Sequence, residues 1–133
     1  MPNMADITVK KFDGTTDIVY VALSPSAGDK TPALWRVEAI GTVPGNRPSL
    51  AVTSRFSVDR QARVVEGKLL YPETFTDSTT GIVATRLRES FSFTHIIRQD
   101  AADMTTKELA AQAANIVKSP LIQSVLLTGF APS

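Results

Sequence analysis

The chain has 133 residues, no cysteine and a formal net charge of +1. That length suits one domain with a real core. The missing cysteine excludes a disulfide framework and a thiolate metal site and fits a reducing cytoplasm. The near-neutral charge excludes a nucleic-acid binder that works by bulk excess charge, though not one that concentrates charge on a single surface.

The start, "MPNMADITVKK", lacks a basic segment followed by an apolar run, so no signal peptide is expected. No run approaches the length of a membrane span. The first strand is expected over 6–12 and the second over 16–23, joined by Asp13-Gly14, a strong hairpin signal between two β-rich runs. "SPSAGDKTP" (24–32) is a loop by composition, and a third strand follows over 33–40 with the single tryptophan, Trp35. After a second loop (41–48), "LAVTSRFSVD" (50–59) alternates. Leu50, Val52, Ser54, Phe56 and Val58 form one set, and the mostly polar Ala51, Thr53, Arg55, Ser57 and Asp59 the other. Period 2 marks a half-buried strand.

A tight connection at 59–61 leads to a fifth strand over 62–71, in which Gly67 suggests a bulge or a close backbone approach. "PETFTDSTTG" (72–81) reads as a polar loop, and a long sixth strand spans 82–97. The period then changes. "TTKE" (105–108) fits a capping box, and Leu109, Ala113, Ile116 and Val117 repeat at helical spacing. Ser119-Pro120 ends that helix, and a short second one over 121–127 stops at Gly129. Six strands followed by two helices make an α+β chain.

Six strands about 4.8 Å apart form a sheet roughly 29 Å wide. A helix is about 10 Å across, so two of them leave apolar surface uncovered. Strand two, "DIVYVAL", is apolar on both sides. An obligate oligomer is therefore expected.

No phosphate loop, nucleophile elbow or H-E-x-x-H motif is present, and nothing calls for a cofactor. His95 shares its alternation with Phe91 and Phe93 and has no cluster of further metal ligands beside it. Asp100 and Asp103 suit the start of a helix better than catalysis. A non-enzyme is the expectation. The alternative is a small oligomeric enzyme or ligand-binding domain that uses His95. Between Arg47 and Arg98 there are eight basic residues and five acidic ones, a local excess of three.

An N-terminal hairpin, a polar loop before the last long strand and two helices split by a proline together resemble the coat protein of single-stranded RNA bacteriophages, the leviviruses. The segments are "ITVKKFDGTTDIVYVALSP", "PALW", "VTSRFSV", "KLLYP" and "TRLRESFSFT". The resemblance implies one coat-protein domain over 1–133, with its hairpin at 6–23, main sheet at 33–97, inter-dimer loop at 72–81 and helices at 105–127. It implies a homodimer with one continuous sheet, each subunit's helices lying across its partner's sheet. Dimers then form an icosahedral shell in the virion, assembled in the bacterial cytoplasm, with the open sheet face toward genomic RNA and a few copies of a maturation protein. Binding of an RNA hairpin that represses replicase translation is also implied. Residue by residue, the resemblance puts RNA contacts at Thr53, Arg55, Ser57, Glu66, Lys68, Arg86, Arg88 and Ser90. Two positions depart from the pattern: the best-known members carry a hydroxyl where Glu66 stands and a base-stacking tyrosine where Arg88 stands.

Overall fold

In the computed structural model, which describes residues 2–39 and 44–133, the elements run β1 (Ile7–Lys10), β2 (Asp17–Ser24), β3 (Ala33–Val37), β4 (Ser49–Phe56), β5 (Ala62–Thr76), β6 (Val83–Arg98), α1 (Asp103–Lys118) and α2 (Pro120–Thr128), with a 3₁₀ turn at Pro44–Asn46. The six strands form one sheet in sequence order, β1 to β6. The molecule divides into two compact units, Met1–Ile96 and Ile97–Ser133.

The first unit is the sheet. Register fixes which residues share a face, because opposed residues in an antiparallel pair point the same way. Ile7 opposes Tyr20, Tyr20 opposes Val37, Trp35 opposes Leu50, and Leu50 opposes Leu69. These make the apolar face. Thr8 and Val19, Val21 and Arg36, Leu34 and Ala51, and Thr53 and Glu66 pair on the other. The β2–β3 register shifts between Ala22 and Ser24, where an irregularity bends the ladder. Among the described residues the buried hydrophobic set is small: Tyr20, Val37, Ala62 and Val64, with only Val37 and Pro48 fully enclosed.

The β1–β2 connection spans six residues (11–16) rather than the three left between the expected strands. Lys11 N–H donates to Thr16 O and Gly14 N–H to Lys11 O. Gly14 sits at φ 74°, a left-handed conformation that glycine adopts without steric cost. The Asp13 carboxylate accepts from the Thr15 and Thr16 amides, each at 2.9 Å, and from the Thr16 hydroxyl. Those donors, the Thr16 hydroxyl first, hold its pKa down to about 2.

The loop over 25–32 is pinned to the sheet. Arg63 on β5 forks onto Asp29 (2.9 and 2.8 Å), donates to Ser54 Oγ and stacks 4.4 Å over the Phe56 ring. The bidentate geometry favours the charged forms, and the Arg63 hydrogen bond lowers the Asp29 pKa.

Several boundaries differ from the sequence-based expectation. β4 stops at Phe56, and Val58 is fully exposed in the turn to β5 rather than in a core. β5 runs on through Thr76, so half of the expected polar loop is strand. The turn is confined to Asp77–Ile82, where the Asp77 amide donates to Ile82 O at 2.9 Å and Asp77 Oδ1 accepts from the Thr79 amide. Gly81 takes φ 72° there. The third strand is observed only to Val37, and Ile40 lies outside the described residues.

Gly67 is the predicted close approach. A β-carbon there would lie 2.1 Å from Phe93 Cε1 and 2.2 Å from Cζ. The Phe93 ring therefore occupies the space over Gly67 on the apolar face, beside Val52, which opposes Gly67. By alternation Phe91 and His95 share that face.

The second unit is the helix pair. α1 begins at Asp103 after Ala102, with no side-chain cap. The expected capping box at Thr105–Glu108 is not formed, since those residues lie inside the first turns; the Thr105 amide donates to Ala102 O instead. Asp103 near the positive helix end pairs with Lys107 at 2.7 Å. Asp100 pairs with Arg98 rather than capping the helix. Ser119 is extended (φ −63°, ψ 149°), as the proline ring of the next residue demands, and Pro120 opens α2. Gly129 closes α2 in the left-handed conformation, φ 78°.

Replacing Gly67 with Ala forces the Phe93 ring off its seat. We expect a loss of about 1–3 kcal/mol in urea unfolding. Phe93→Ala in the same chain should abolish the extra cost of the methyl group, a coupling read by a double-mutant cycle. Asp13 contributes stability above its unfolded value near 3.8 that is lost as pH falls toward about 2, because its folded pKa is depressed. Asp13→Asn should therefore lower the melting temperature at pH 7, and the gap from the parent should shrink between about pH 4 and 2.

Candidate nucleic-acid interface

β4 and β5 build the polar face. Thr53 opposes Glu66, Ala51 opposes Lys68 and Arg55 opposes Val64. Strand alternation aims all of these side chains the same way. Ser90, Ser92 and Thr94 follow the same alternation on β6. Beside them lies a shallow depression of ≈ 290 Å³, lined by Ala51, Thr53, Glu66, Gly67, Lys68, Ser92, Phe93 and Thr94.

Its electrostatics are more restrained than a residue count implies. Arg55 Nη2 donates to Glu66 Oε1 at 3.1 Å, a diagonal cross-strand pair. Glu66 thus pairs with Arg55, not with its neighbour Lys68. Arg63 is spent on Asp29, Arg47 on Glu38 and Arg98 on Asp100. Of the eight candidate residues, Lys68 and Arg88 are the cations that form no ion pair among the described residues. Lys68 is exposed, Arg88 and Ser90 likewise. The Thr53 hydroxyl makes one long contact, 3.5 Å to Glu66 O.

Ser57 stands apart. It lies past the end of β4, and its hydroxyl donates to Asp59 Oδ1 while accepting from the Ala62 amide at 3.2 Å. Those bonds build the β4–β5 turn together with Arg60, whose φ is 58°. The Arg86 side chain lies outside the described residues. The structure thus brings together Thr53, Arg55, Glu66 and Lys68, with Ser90 and Arg88 farther along β6. Ser92 and Thr94 are absent from the sequence-based set. Carrying the alternation of Arg88 and Ser90 two steps further would have found them.

His95 does not face the depression. Its Nε2 is buried and has no hydrogen-bond partner among the described residues. No group of three or more His, Asp or Glu that could hold a metal ion is found among the described residues.

No protein-family model and no curated protein sequence matches the chain. Solved structures do. The virus-like particle of Beihai levi-like virus 21 is similar with a TM-score of 0.84 at 18% identity, over 99% of both chains. The virus-like particle of bacteriophage NT-214 follows at 0.82 and 14%, again over 99% of both. The bacteriophage GA protein capsid is similar at 0.75 and 17%, over 96% of this chain and 95% of that one. The antiparallel sheet followed by two C-terminal helices matches them, and this chain has the fold of the RNA-phage coat proteins.

Proposed function

We propose that the chain is the structural subunit of an RNA bacteriophage capsid, serving as one coat-protein domain that pairs with itself, assembles into a shell and holds genomic RNA on the polar sheet face. The observation that carries this reading is the end-to-end match to particle-forming chains, 99% of each at TM-score 0.84. Two physical features support it.

The first is apolar surface that one chain leaves in water. Leu87 (57%), Phe91 (37%) and Phe93 (42%) are exposed on β6, and no residue of α1 or α2 is buried, with Leu109, Ile116, Leu121 and Leu127 all more than half exposed. Both sets need a partner. The second is the free edge of β6. This strand of 16 residues ends the sheet and presents an unpaired row of backbone donors and acceptors. A second copy satisfies that edge, giving one continuous sheet, and the partner's helices cover the apolar face.

The opposite face then looks inward. Lys68 and Arg88 neutralise phosphates, and the hydroxyls of Thr53, Ser90 and their neighbours exchange hydrogen bonds with unpaired bases. An operator hairpin, repression of replicase translation and a maturation protein as minor partner belong to the same proposal. So does a role for the Asp77–Ile82 turn in contacts between dimers. No step of this role requires a catalyst or cofactor, and the chain resides in the virion after assembly in the host.

Purified protein should form uniform particles by electron microscopy, with an absorbance ratio that shows packaged nucleic acid. A stable monomer free of nucleic acid overturns the reading. Shortening the Asp77–Ile82 turn should change particle size or stability while dimers persist. Lys68→Ala should weaken RNA binding and reduce the slope of log affinity against log salt by about 0.7 for each phosphate it no longer neutralises. Arg55→Ala should also weaken it, because Glu66 is then left unneutralised, and adding Glu66→Gln should recover most of the affinity for a strand made of uridine alone. Filter binding at two salt concentrations reads both; unchanged affinity for both single variants contradicts the placement of RNA on this face.

A further inference from the structure

We propose that the depression between β4, β5 and β6 selects an unpaired guanine, and that Glu66 is the residue that reads it. The proposal rests on the RNA-binding role given above and adds the identity of the base.

Donors and acceptors around the hollow decide the preference. The rim carries one carboxylate (Glu66), one ammonium (Lys68) and three hydroxyls (Thr53, Ser92, Thr94) around a small open space. Hydroxyls both donate and accept, so they discriminate little. An ionised carboxylate only accepts and an ammonium only donates, so these two set the pattern. They sit two residues apart on β5 and therefore point the same way, carboxylate and ammonium side by side.

Arg55 fixes the Glu66 head through Oε1 at 3.1 Å. A carboxylate has about four lone-pair sites, so one bond from Arg55 leaves capacity on both oxygens. Holding the head also lowers the entropy cost when a base docks.

An unpaired base offers its Watson–Crick edge. Guanine presents two adjacent donors, N2–H₂ and N1–H, followed by the acceptor O6. That order matches a carboxylate beside an ammonium: two bonds to Glu66 and one from Lys68. Adenine and cytosine each offer a single amino donor beside a ring nitrogen that accepts, so one carboxylate oxygen faces a lone pair. Uracil places its single N–H between two carbonyls, and both repel the carboxylate. The expected order is guanine first, adenine and cytosine next, uracil last. A hydroxyl in place of Glu66 would impose no such order.

The test uses the full-length chain and four single-stranded RNAs identical except for one central base in an otherwise uridine-rich sequence. Affinities are measured by fluorescence anisotropy at one salt concentration. The guanine RNA should bind about tenfold tighter than the uracil RNA, the discrimination of one good bidentate contact. In Glu66→Gln the ratio should collapse to within about twofold, because the amide replaces one acceptor by a donor. Lys68→Ala should weaken all four RNAs and lower the guanine advantage only in part. Equal binding of all four by the parent chain overturns the guanine assignment and leaves the RNA-binding role standing. A preference for another base overturns it as well, and so does a guanine preference that survives in Glu66→Gln. Absence of RNA binding overturns both the assignment and the role beneath it.

Discussion

The register between β4 and β5 is the constraint on which the rest depends. It sets Thr53 opposite Glu66 and Leu50 opposite Leu69. Side chains alternate with a period of two, so a slip of one residue would send Glu66 and Lys68 to the apolar face. Two contacts hold it in place on opposite sides of the sheet. On one side Arg55 reaches diagonally to Glu66; on the other Arg63 grips Asp29 and covers Phe56. Gly67 then leaves room for Phe93 of β6, while the alternation of that strand puts the hydroxyl row of Ser90, Ser92 and Thr94 on the same face as Glu66 and Lys68.

A sheet built this way has two unlike faces and too little chain to cover either. The buried hydrophobic set of the described residues is four side chains, while the helix pair buries none of its own. In a chain meant to stay monomeric that would be a defect. Here it is consistent with a subunit whose core is completed by another copy, as expected when apolar surface and a long open strand edge occur together. The polar face follows a different logic. Arg55 is neutralised by Glu66, which keeps nonspecific attraction modest and leaves Lys68 and Arg88 as the unpaired cations of the candidate set among the described residues. In the proposed RNA-binding role, such a surface would depend on hydrogen-bond pattern as much as on charge, with the single carboxylate at Glu66 as its one pure acceptor.

Much of this was legible beforehand. The hairpin at Asp13-Gly14, the alternation of "LAVTSRFSVD", the break at Ser119-Pro120 and the glycine stop at Gly129 are local signals, and each marks a feature the structure contains. The failures are also local in origin. "PETFT" looked like loop because Pro72 and the polar residues around it suppress strand propensity, yet β5 continues through it as one arm of the β5–β6 hairpin. "TTKE" matched a capping box, but the helix had already begun at Asp103, so the hydroxyls fell inside the first turns. Val58 and Ser57 continued the alternation on paper; the turn at Arg60 ends the strand before either can use it.

The candidate site shows the same division. The residue types and their parity were readable because strand geometry forces side chains to alternate. Pairing was not. That Glu66 meets Arg55 rather than Lys68, that Ser57 is committed to a turn and that Ser92 and Thr94 join the hollow are facts of three-dimensional placement, set by where strands end, which ones lie side by side and in what register. By itself the sequence determined the element types, the two-faced sheet and the shortage of cover, since these follow from periodicity and arithmetic. Only the tertiary structure decided which charges cancel and which remain, because cancellation depends on distances between residues far apart in the chain.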